Sequence, residues 1–128
     1  MNRKATLTTG ALLMAAGVAL GAFGAHAWKE SLAATGRTET FELAIRYLLT
    51  HALAILILGA LMKDYPRLHA AAKLLLAGIF LFSGSLVVLA LTNKTSWGAV
   101  APFGGAALIS GWLAVAYAIM RASQDNRP

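Results

Sequence analysis

Three ionisable residues lie within one long apolar stretch, residues 41–62, which reads FELAIRYLLTHALAILILGALM. Glu42 and Arg46 are four residues apart, the spacing at which a carboxylate and a guanidinium meet on one helix face. Tyr47 and His51 form a second pair at the same spacing, on a different side of the helix. An arginine can bind an anionic group, and a histidine can bind or pass on a proton. These residues are the first candidates for a functional site.

Further polar residues fall in the other apolar segments. His26 lies close to the end of the first segment, and Ser83 and Ser85 lie near the middle of the third. Pro102 lies near the start of the fourth, beside glycines that leave room. Two interpretations of the serines are open. They either hydrogen-bond back to their own helix, with Gly84 closely packed, or bond across to a neighbouring helix.

The spacing of the candidate ligands favours neither a metal site nor catalysis. The histidines and carboxylates do not occur at His-x-x-x-His or Glu-x-x-His spacing, so no metal is expected. The chain has no cysteine, and it contains no P-loop or dinucleotide-binding fingerprint. We therefore predict a protein that is not an enzyme and carries no cofactor.

The composition indicates that the lipid bilayer is the solvent of this chain. Of its 128 residues, 59% are hydrophobic and 12% are charged, against about 45–50% and about 25% in soluble proteins. The charged residues cluster, and the intervals between the clusters are close to the ~20 residues that span the ~30 Å hydrocarbon core. The net charge is +6, but no nucleic-acid partner is expected, because the basic residues lie at segment ends rather than on one face.

The pattern predicts an all-α fold, a four-transmembrane-helix bundle in a single domain. The helices are expected at about residues 6–28, 40–62, 70–92 and 98–120. Residues 29–34 are interpreted as a short helix on the membrane surface that ends before Gly36, with Trp28 as an interfacial anchor. An alternative is that the first segment is a secretory signal, cleaved after the sequence Ala25-His26-Ala27, which would leave three helices.

The distribution of Lys and Arg predicts the orientation in the membrane. Seven lie on the side of both termini and three on the other, with Arg46 inside the second helix. The positive-inside rule then places both termini in the cytoplasm. In that orientation His26, Glu42 and Arg46 lie at the outer end, and His51 lies roughly 13 Å deeper than Glu42. Polar groups from at least three helices are thus expected to share the outer half of the bundle.

Two interpretations of this polar group are left open by the sequence. In the structural one, Glu42 and Arg46 form an ion pair at the membrane boundary and the histidines bond to loops and carbonyls. In the functional one, His26, Glu42, Arg46 and His51 line a cavity that binds an anionic headgroup or a small solute, or passes protons. The corresponding functions are lipid or partner binding and, alternatively, small-solute or proton-coupled transport.

Two stripes of small residues predict close helix packing. In the first helix the stripe consists of Gly10, Gly17, Gly21 and Gly24, which fall within about 60° of one another at 100° per residue. In the fourth helix it consists of Gly104, Ala107, Gly111, Ala114 and Ala118. Besides membrane lipids, the expected partners are a second copy of the chain, packed through such a stripe, or another membrane protein.

Four blocks of the chain resemble one known family. They are GAFGAHAW (21–28), FELAIRYLLTHALAIL (41–56), LFSGSLVVLAL (81–91) and APFGGAALISGW (101–112). In this order they are similar to domain-of-unknown-function family 423, which includes the eukaryotic transmembrane protein 256 group. The resemblance implies a four-helix membrane protein, of the inner membrane if bacterial, with no agreed activity.

The family's motif blocks also mark positions in this chain. They contain His26, Arg46, Tyr47, His51, Ser83, Ser85 and Pro102. The chain departs from the family pattern at two places. An aromatic residue is expected where Val87 follows the sequence SGSL, and a threonine is expected where Ala101 precedes the proline.

Overall fold

The computed structural model describes residues 1–125, and the side chains of residues 1–122. The helices are α1 (Arg3–Ala25), α2 (Lys29–Ala34), α3 (Thr38–Leu61), α4 (Leu68–Ile79), α5 (Ser85–Thr92) and α6 (Ala101–Asp125). A π-helical segment, Phe80–Gly84, joins α4 to α5, and a 3₁₀-helix, Thr95–Ala99, precedes α6. The predicted all-α fold is confirmed.

Four stretches are long and apolar enough to cross a membrane. They are Arg3–Ala25, Thr38–Leu61, Leu68–Thr92 and Thr95–Ala122. The third combines α4, the π-helical segment and α5, so its hydropathy gives no sign of the wider turn in its middle. α1 begins earlier than predicted because the Asn2 side chain caps it, with Ala5 N donating to Asn2 Oδ1 at 2.8 Å.

The two loops that follow α1 and α5 lie at one end of the bundle, which we call the Trp28 end. Gly36 ends α2 in the left-handed region at φ +68°, as expected for a glycine just past a helix. Asn93 ends α5 at φ 54°. The Arg37 guanidinium then joins the loops, because its Nε donates to Asn93 Oδ1 at 2.9 Å.

The opposite end, which we call the basic end, is formed by the first residues of α1 and the turn between α3 and α4. The Thr6 hydroxyl is buried there and donates to Asn2 O at 2.8 Å, and it lies 3.5 Å from Met62 Sδ. Leu68 is fully buried beside this turn. These contacts fix the start of α1 against the end of α3.

α3 and the third span form the centre of the bundle, and α1 and α6 flank them. In their apolar parts, 50% of the residues are buried in α3 and 44% in the third span, against 28% in the fourth span and 11% in α1. α1 packs mainly on α3, and α6 packs mainly on α4 and the π-helical segment. Each face of α3 therefore meets a different neighbour.

Glycines allow the close approach of α1 to α3. A Cβ on Gly10 would lie 3.0 Å from Leu56 N, so the Leu56 backbone occupies the space that a side chain would need. α3 also has a glycine at this contact, Gly59, and Leu7 of α1 fills the space beside it. Each helix thus inserts a leucine where the other lacks a side chain, which increases the dispersion contacts between them.

The same exchange joins α4 to α6. Leu108 of α6 lies against Gly78, and Leu75 of α4 lies against Gly111. The predicted stripes on α1 and α6 therefore face helices of the same chain. Self-association would have to use another surface.

Candidate functional site

The structure places the predicted pocket residues on different faces of α3. Glu42 and Arg46 lie on the side of α1 and α2, whereas His51 faces α6. The separation follows from helix geometry, since residues five apart at about 100° each point about 140° apart. Because α3 is central, the two faces meet different neighbours. The expected single pocket is replaced by two separate places, a cleft and an aromatic cluster.

A cleft of about 290 Å³ lies between α1, α2 and α3 at the Trp28 end, and we call it the α1–α3 cleft. Its lining residues are Gly21, Gly24, Ala25, Leu32, Thr38, Phe41, Glu42, Ile45, Arg46 and Leu49. Leu32, Phe41 and Ile45 are buried and form an apolar wall. Thr38, Glu42 and Arg46 supply the polar groups of this otherwise apolar site.

The two charged residues of the cleft do not neutralise each other. Glu42 and Arg46 are both exposed, and in the described part of the chain no ion pair joins their side chains. The expected ion pair is therefore wrong, although the residues are four apart on one helix. An exposed pair at this spacing contributes only about 0.3–0.5 kcal/mol, so the side chains lose little by pointing elsewhere.

A cluster of aromatic rings lies beside the cleft and meets it at Phe41. The Trp28 ring stacks on Phe23 at 5.2 Å between centroids and meets the Phe41 ring edge-on at 6.0 Å. Phe41 in turn lies against Gly24, where a Cβ would overlap its ring. A tryptophan in such a cluster is typical of the headgroup level of a bilayer. The charged residues of the cleft thus lie near the level at which lipid headgroups lie.

The second place is an aromatic cluster around His51. The His51 side chain is 6% exposed, and its ring lies 5.7 Å from Tyr47 and 5.9 Å from Trp112 between centroids. Tyr47 also contacts Phe82 of the π-helical segment at 4.5 Å. The cluster therefore connects α3, the third span and α6 near the middle of the membrane.

Both ring nitrogens of His51 have partners whose roles are fixed. Nδ1 lies 2.8 Å from Tyr47 O, a carbonyl that only accepts, and Nε2 lies 3.1 Å from the indole Nε1 of Trp112, which only donates. The geometry therefore requires a neutral histidine that carries its proton on Nδ1. A proton added to Nε2 would face the Trp112 N–H and displace it.

The two serines of the third span differ in their hydrogen bonding. Ser85 Oγ donates to Phe82 O at 3.0 Å, so the expected bond back to its own helix is confirmed. Ser83 is 3% exposed, and its Oγ has no partner within the described residues. The expected close packing at Gly84 is wrong, since a Cβ there would meet nothing within 4 Å.

The unpartnered hydroxyl predicts a substitution that does not destabilise the protein. Ser83→Ala is expected to leave the free energy of unfolding unchanged or to raise it by about 1 kcal/mol, because it removes a buried polar group without a bond. Ser85→Ala, which removes a bonded hydroxyl two residues away, is expected to lower it by about 0.5–1 kcal/mol. Equilibrium unfolding in mixed micelles measures both. A larger loss for Ser83→Ala would mean that Oγ is bonded in the membrane.

Two predicted site residues lie outside both places. His26 is exposed at the carboxyl end of α1, where its backbone N–H donates to Ala22 O at 3.1 Å. Pro102 is exposed in the first turn of α6, a position where its missing N–H leaves no helical bond unmade. Among the described residues, no group of three or more His, Cys, Asp or Glu is placed to hold a metal ion.

A family model described as "Protein of unknown function (DUF423)" matches residues 20–105. The chain belongs to the DUF423 family. The matched residues contain the whole lining of the α1–α3 cleft, as well as His51 and the π-helical segment. Trp112 lies beyond them. The further relation to the transmembrane protein 256 group stays a prediction.

Curated relatives of this DUF423 protein are membrane proteins of bacteria. UPF0382 membrane protein SH2409 of Staphylococcus haemolyticus is 37% identical over 111 residues, 86% of this chain and 90% of that protein. UPF0382 membrane protein YwdK of Bacillus subtilis is 32% identical over 121 residues, 92% and 98% of the two chains. UPF0382 inner membrane protein YgdD of Escherichia coli K12 is 37% identical over 97 residues, 74% and 73%.

Together with the four spans, these relatives identify an integral membrane protein of the bacterial inner membrane. No solved structure matches this DUF423 chain.

Sequence reasoning missed Trp112 and Phe82 as members of the His51 cluster in this DUF423 protein. The sequence contains a usable signal, because an indole N–H in the middle of an apolar helix needs an acceptor and few are present. What it lacks is the adjacency of α3 and α6, which no hydropathy pattern reports. Gly59 and Gly78 were missed because each is the single glycine near its position rather than part of a stripe.

Proposed function

We propose that this protein is a non-enzymatic membrane protein that binds a zwitterionic phospholipid in the α1–α3 cleft. The observation that carries the proposal is a carboxylate and a guanidinium, not paired with each other, beside an apolar cleft of about 290 Å³. An amphiphile whose head carries both charges suits this combination. A purely anionic ligand would leave Glu42 repelled, and an apolar one would leave both charges unused.

The spacing of the two charges supports a headgroup with separated charges. Glu42 and Arg46 are one helical turn apart, so their Cα atoms are about 6 Å apart along the α3 axis. A phosphate can accept two hydrogen bonds from the planar Arg46 guanidinium, and a primary ammonium can donate to the Glu42 carboxylate. The hydroxyl of Thr38, one turn before Glu42, is a third polar group of the lining.

The remaining lining supports an acyl chain. Leu32, Ile45 and Leu49 present only methyl and methylene groups to the cleft. Gly21 widens it, since a Cβ on Gly21 would lie 3.5 Å from Ile45 Cγ2, an ordinary contact distance with no atom closer. An acyl chain in this space replaces bilayer contacts by protein contacts, so its affinity depends on the fit of the head and not on apolar burial alone.

Proton-coupled transport, the alternative predicted from the sequence, has less support. Its deepest titratable residue, His51, already holds an acceptor and a donor on its two nitrogens. A proton carrier at that position would have to release Trp112 in every cycle. A homo-oligomer also stays a prediction, which the following experiment measures at the same time.

Native mass spectrometry of the gently solubilised full-length protein tests the proposal. The wild type is expected to retain one phosphatidylethanolamine per chain. Arg46→Ala is expected to reduce the retained fraction on the order of tenfold, since a hydrogen bond between charged groups contributes roughly 1.5–3 kcal/mol. Glu42→Gln keeps Arg46, which binds the phosphate, but removes the carboxylate that accepts from the ammonium. The retained lipid is therefore expected to shift towards phosphatidylglycerol.

Two further variants separate binding from general damage. Arg37→Ala removes the same charge at the same end but from a residue outside the cleft, and it should leave the lipid bound. Gly21→Leu should fill the cleft and expel the lipid, because the glycine has room for a side chain. Equal retention in the wild type and Arg46→Ala, or equal loss in Arg37→Ala, would show that the cleft is not a lipid site.

A further inference from the structure

A second cleft lies at the basic end, far from the one described above. It has a volume of about 310 Å³ and is formed where the start of α1 meets the turn between α3 and α4. Arg3, Lys63 and His69 line it, together with Asn2, Met62 and Pro66. We call it the basic cleft. The contact between Thr6 and Met62 holds its two sides together.

The charge of this end is strongly unbalanced. Residues 1–4 and 62–73 contain five Lys or Arg against one acidic residue: Arg3, Lys4, Lys63, Arg67 and Lys73, with Asp64. The Trp28 end differs, because residues 26–46 and 93–97 contain four Lys or Arg against three Glu: Lys29, Arg37, Arg46 and Lys94, with Glu30, Glu39 and Glu42. Repulsion among cations that converge at one end is relieved when an anion binds between them.

The start of α1 adds to the positive field at the basic cleft. Met1 also lines the cleft, but the pKa of its amine is lowered, first by desolvation and then by the charge of Lys73 and a hydrogen bond with it, so this amine adds less positive charge than an ordinary N-terminus. The first turn of α1 has no acidic residue, and its aligned peptide dipoles place partial positive charge at the same position. Asn2 caps that turn through its Oδ1, which leaves the amide NH₂ as a donor.

We propose that the basic cleft binds a phosphate group, carried by an anionic phospholipid or by soluble phosphate. The guanidinium of Arg3 and the ammonium of Lys63 are the main ligands, and His69 and the Asn2 amide complete the set of donors. Orientation in the membrane requires only that positive charges lie on one side, wherever they stand along the loops. It does not require that they line a common cleft with an amide donor, and that convergence is what points to a ligand.

Thermal unfolding of the detergent-solubilised full-length protein, titrated with three probes, tests the proposal. The probes are a short-chain phosphatidylglycerol, a short-chain phosphatidylcholine and inorganic phosphate. We expect saturable stabilisation by the first or the third. The double variant Arg3→Gln, Lys63→Gln should raise the half-saturating concentration about 25-fold, at about fivefold for each cation removed. The control Lys29→Gln, Lys94→Gln removes the same charge from the other end and should change it less than twofold.

If the double variant does not fold, the single variant Lys63→Gln takes its place, because Lys63 lies at an exposed turn position. It should raise the half-saturating concentration about fivefold. Saturation by phosphatidylglycerol alone identifies a lipid ligand, and competition by inorganic phosphate identifies a soluble one. The proposal is overturned if no probe gives saturable stabilisation, or if both double variants weaken it equally. Neither result bears on the α1–α3 cleft, whose variants lie at the opposite end.

Discussion

Gly104→Ala is expected to lower the free energy of unfolding by about 3 kcal/mol, the upper part of the range for overpacked sites. Gly104 lies where α6 crosses the π-helical segment, and a Cβ there would overlap the backbone of Phe82 and lie 2.6 Å from Leu81 C. These are main-chain atoms, which cannot rotate away as a side chain can. The crossing must therefore open, and the Leu108 contact with Gly78 opens with it.

The neighbouring glycine provides the control. A Cβ on Gly105 would come no closer than 4.0 Å to the Phe82 ring. Gly105→Ala is expected to leave stability unchanged or to raise it by up to about 1 kcal/mol, since alanine favours the helix more than glycine does. Equilibrium unfolding in mixed micelles measures both variants. If the two alanines have the same effect, the close approach of the two backbones is not a feature of the protein in its membrane.

His51→Ala is expected to lower the free energy of unfolding by about 2–3 kcal/mol. The substitution removes a buried ring from the cluster with Tyr47 and Trp112, and it leaves the Trp112 N–H without its acceptor. In hydrocarbon no water replaces that acceptor. The fluorescence emission of Trp112 should shift as the indole loses its hydrogen bond. The measurement uses a protein that carries Trp28→Phe and Trp97→Phe, so that Trp112 is its one tryptophan.

A double-mutant cycle separates the hydrogen bond from the packing. Trp112→Phe keeps an aromatic ring but removes the donor, and it is expected to cost about 1 kcal/mol on its own. In a protein that already carries His51→Ala, Trp112→Phe should cost less than that value, because the hydrogen bond that the two residues share is already lost. Additive losses would mean that the 3.1 Å contact contributes packing only.

The sequence predicts the number of spans well, because hydropathy depends only on which residues are adjacent in the chain. It also predicts the short helix before Gly36, whose position is set by a local backbone requirement. It does not predict which face of α3 meets which neighbour. Arg46 and His51 were grouped by depth alone, and depth does not distinguish residues that point about 140° apart.

The π-helical segment escaped prediction for a related reason. Its sequence, FLFSG, contains no proline, and one extra residue in a turn does not alter the apolar character of the span. The segment becomes visible only through its consequences, the unpartnered Ser83 hydroxyl and the approach of Gly104 to Phe82. The second depends on the position of α6, which is a property of the fold.

The pairing of α1 with α3 and of α4 with α6 bears on how the chain is made. Each pair joins consecutive membrane spans, and each is closed by an exchange of leucines into glycine gaps. A ribosome therefore delivers both halves of each pair in succession, and the first hairpin can close before the second has left the insertion machinery. Such short-range contacts favour fast assembly. The exposed apolar surface of α1 then needs only lipid as its neighbour throughout synthesis.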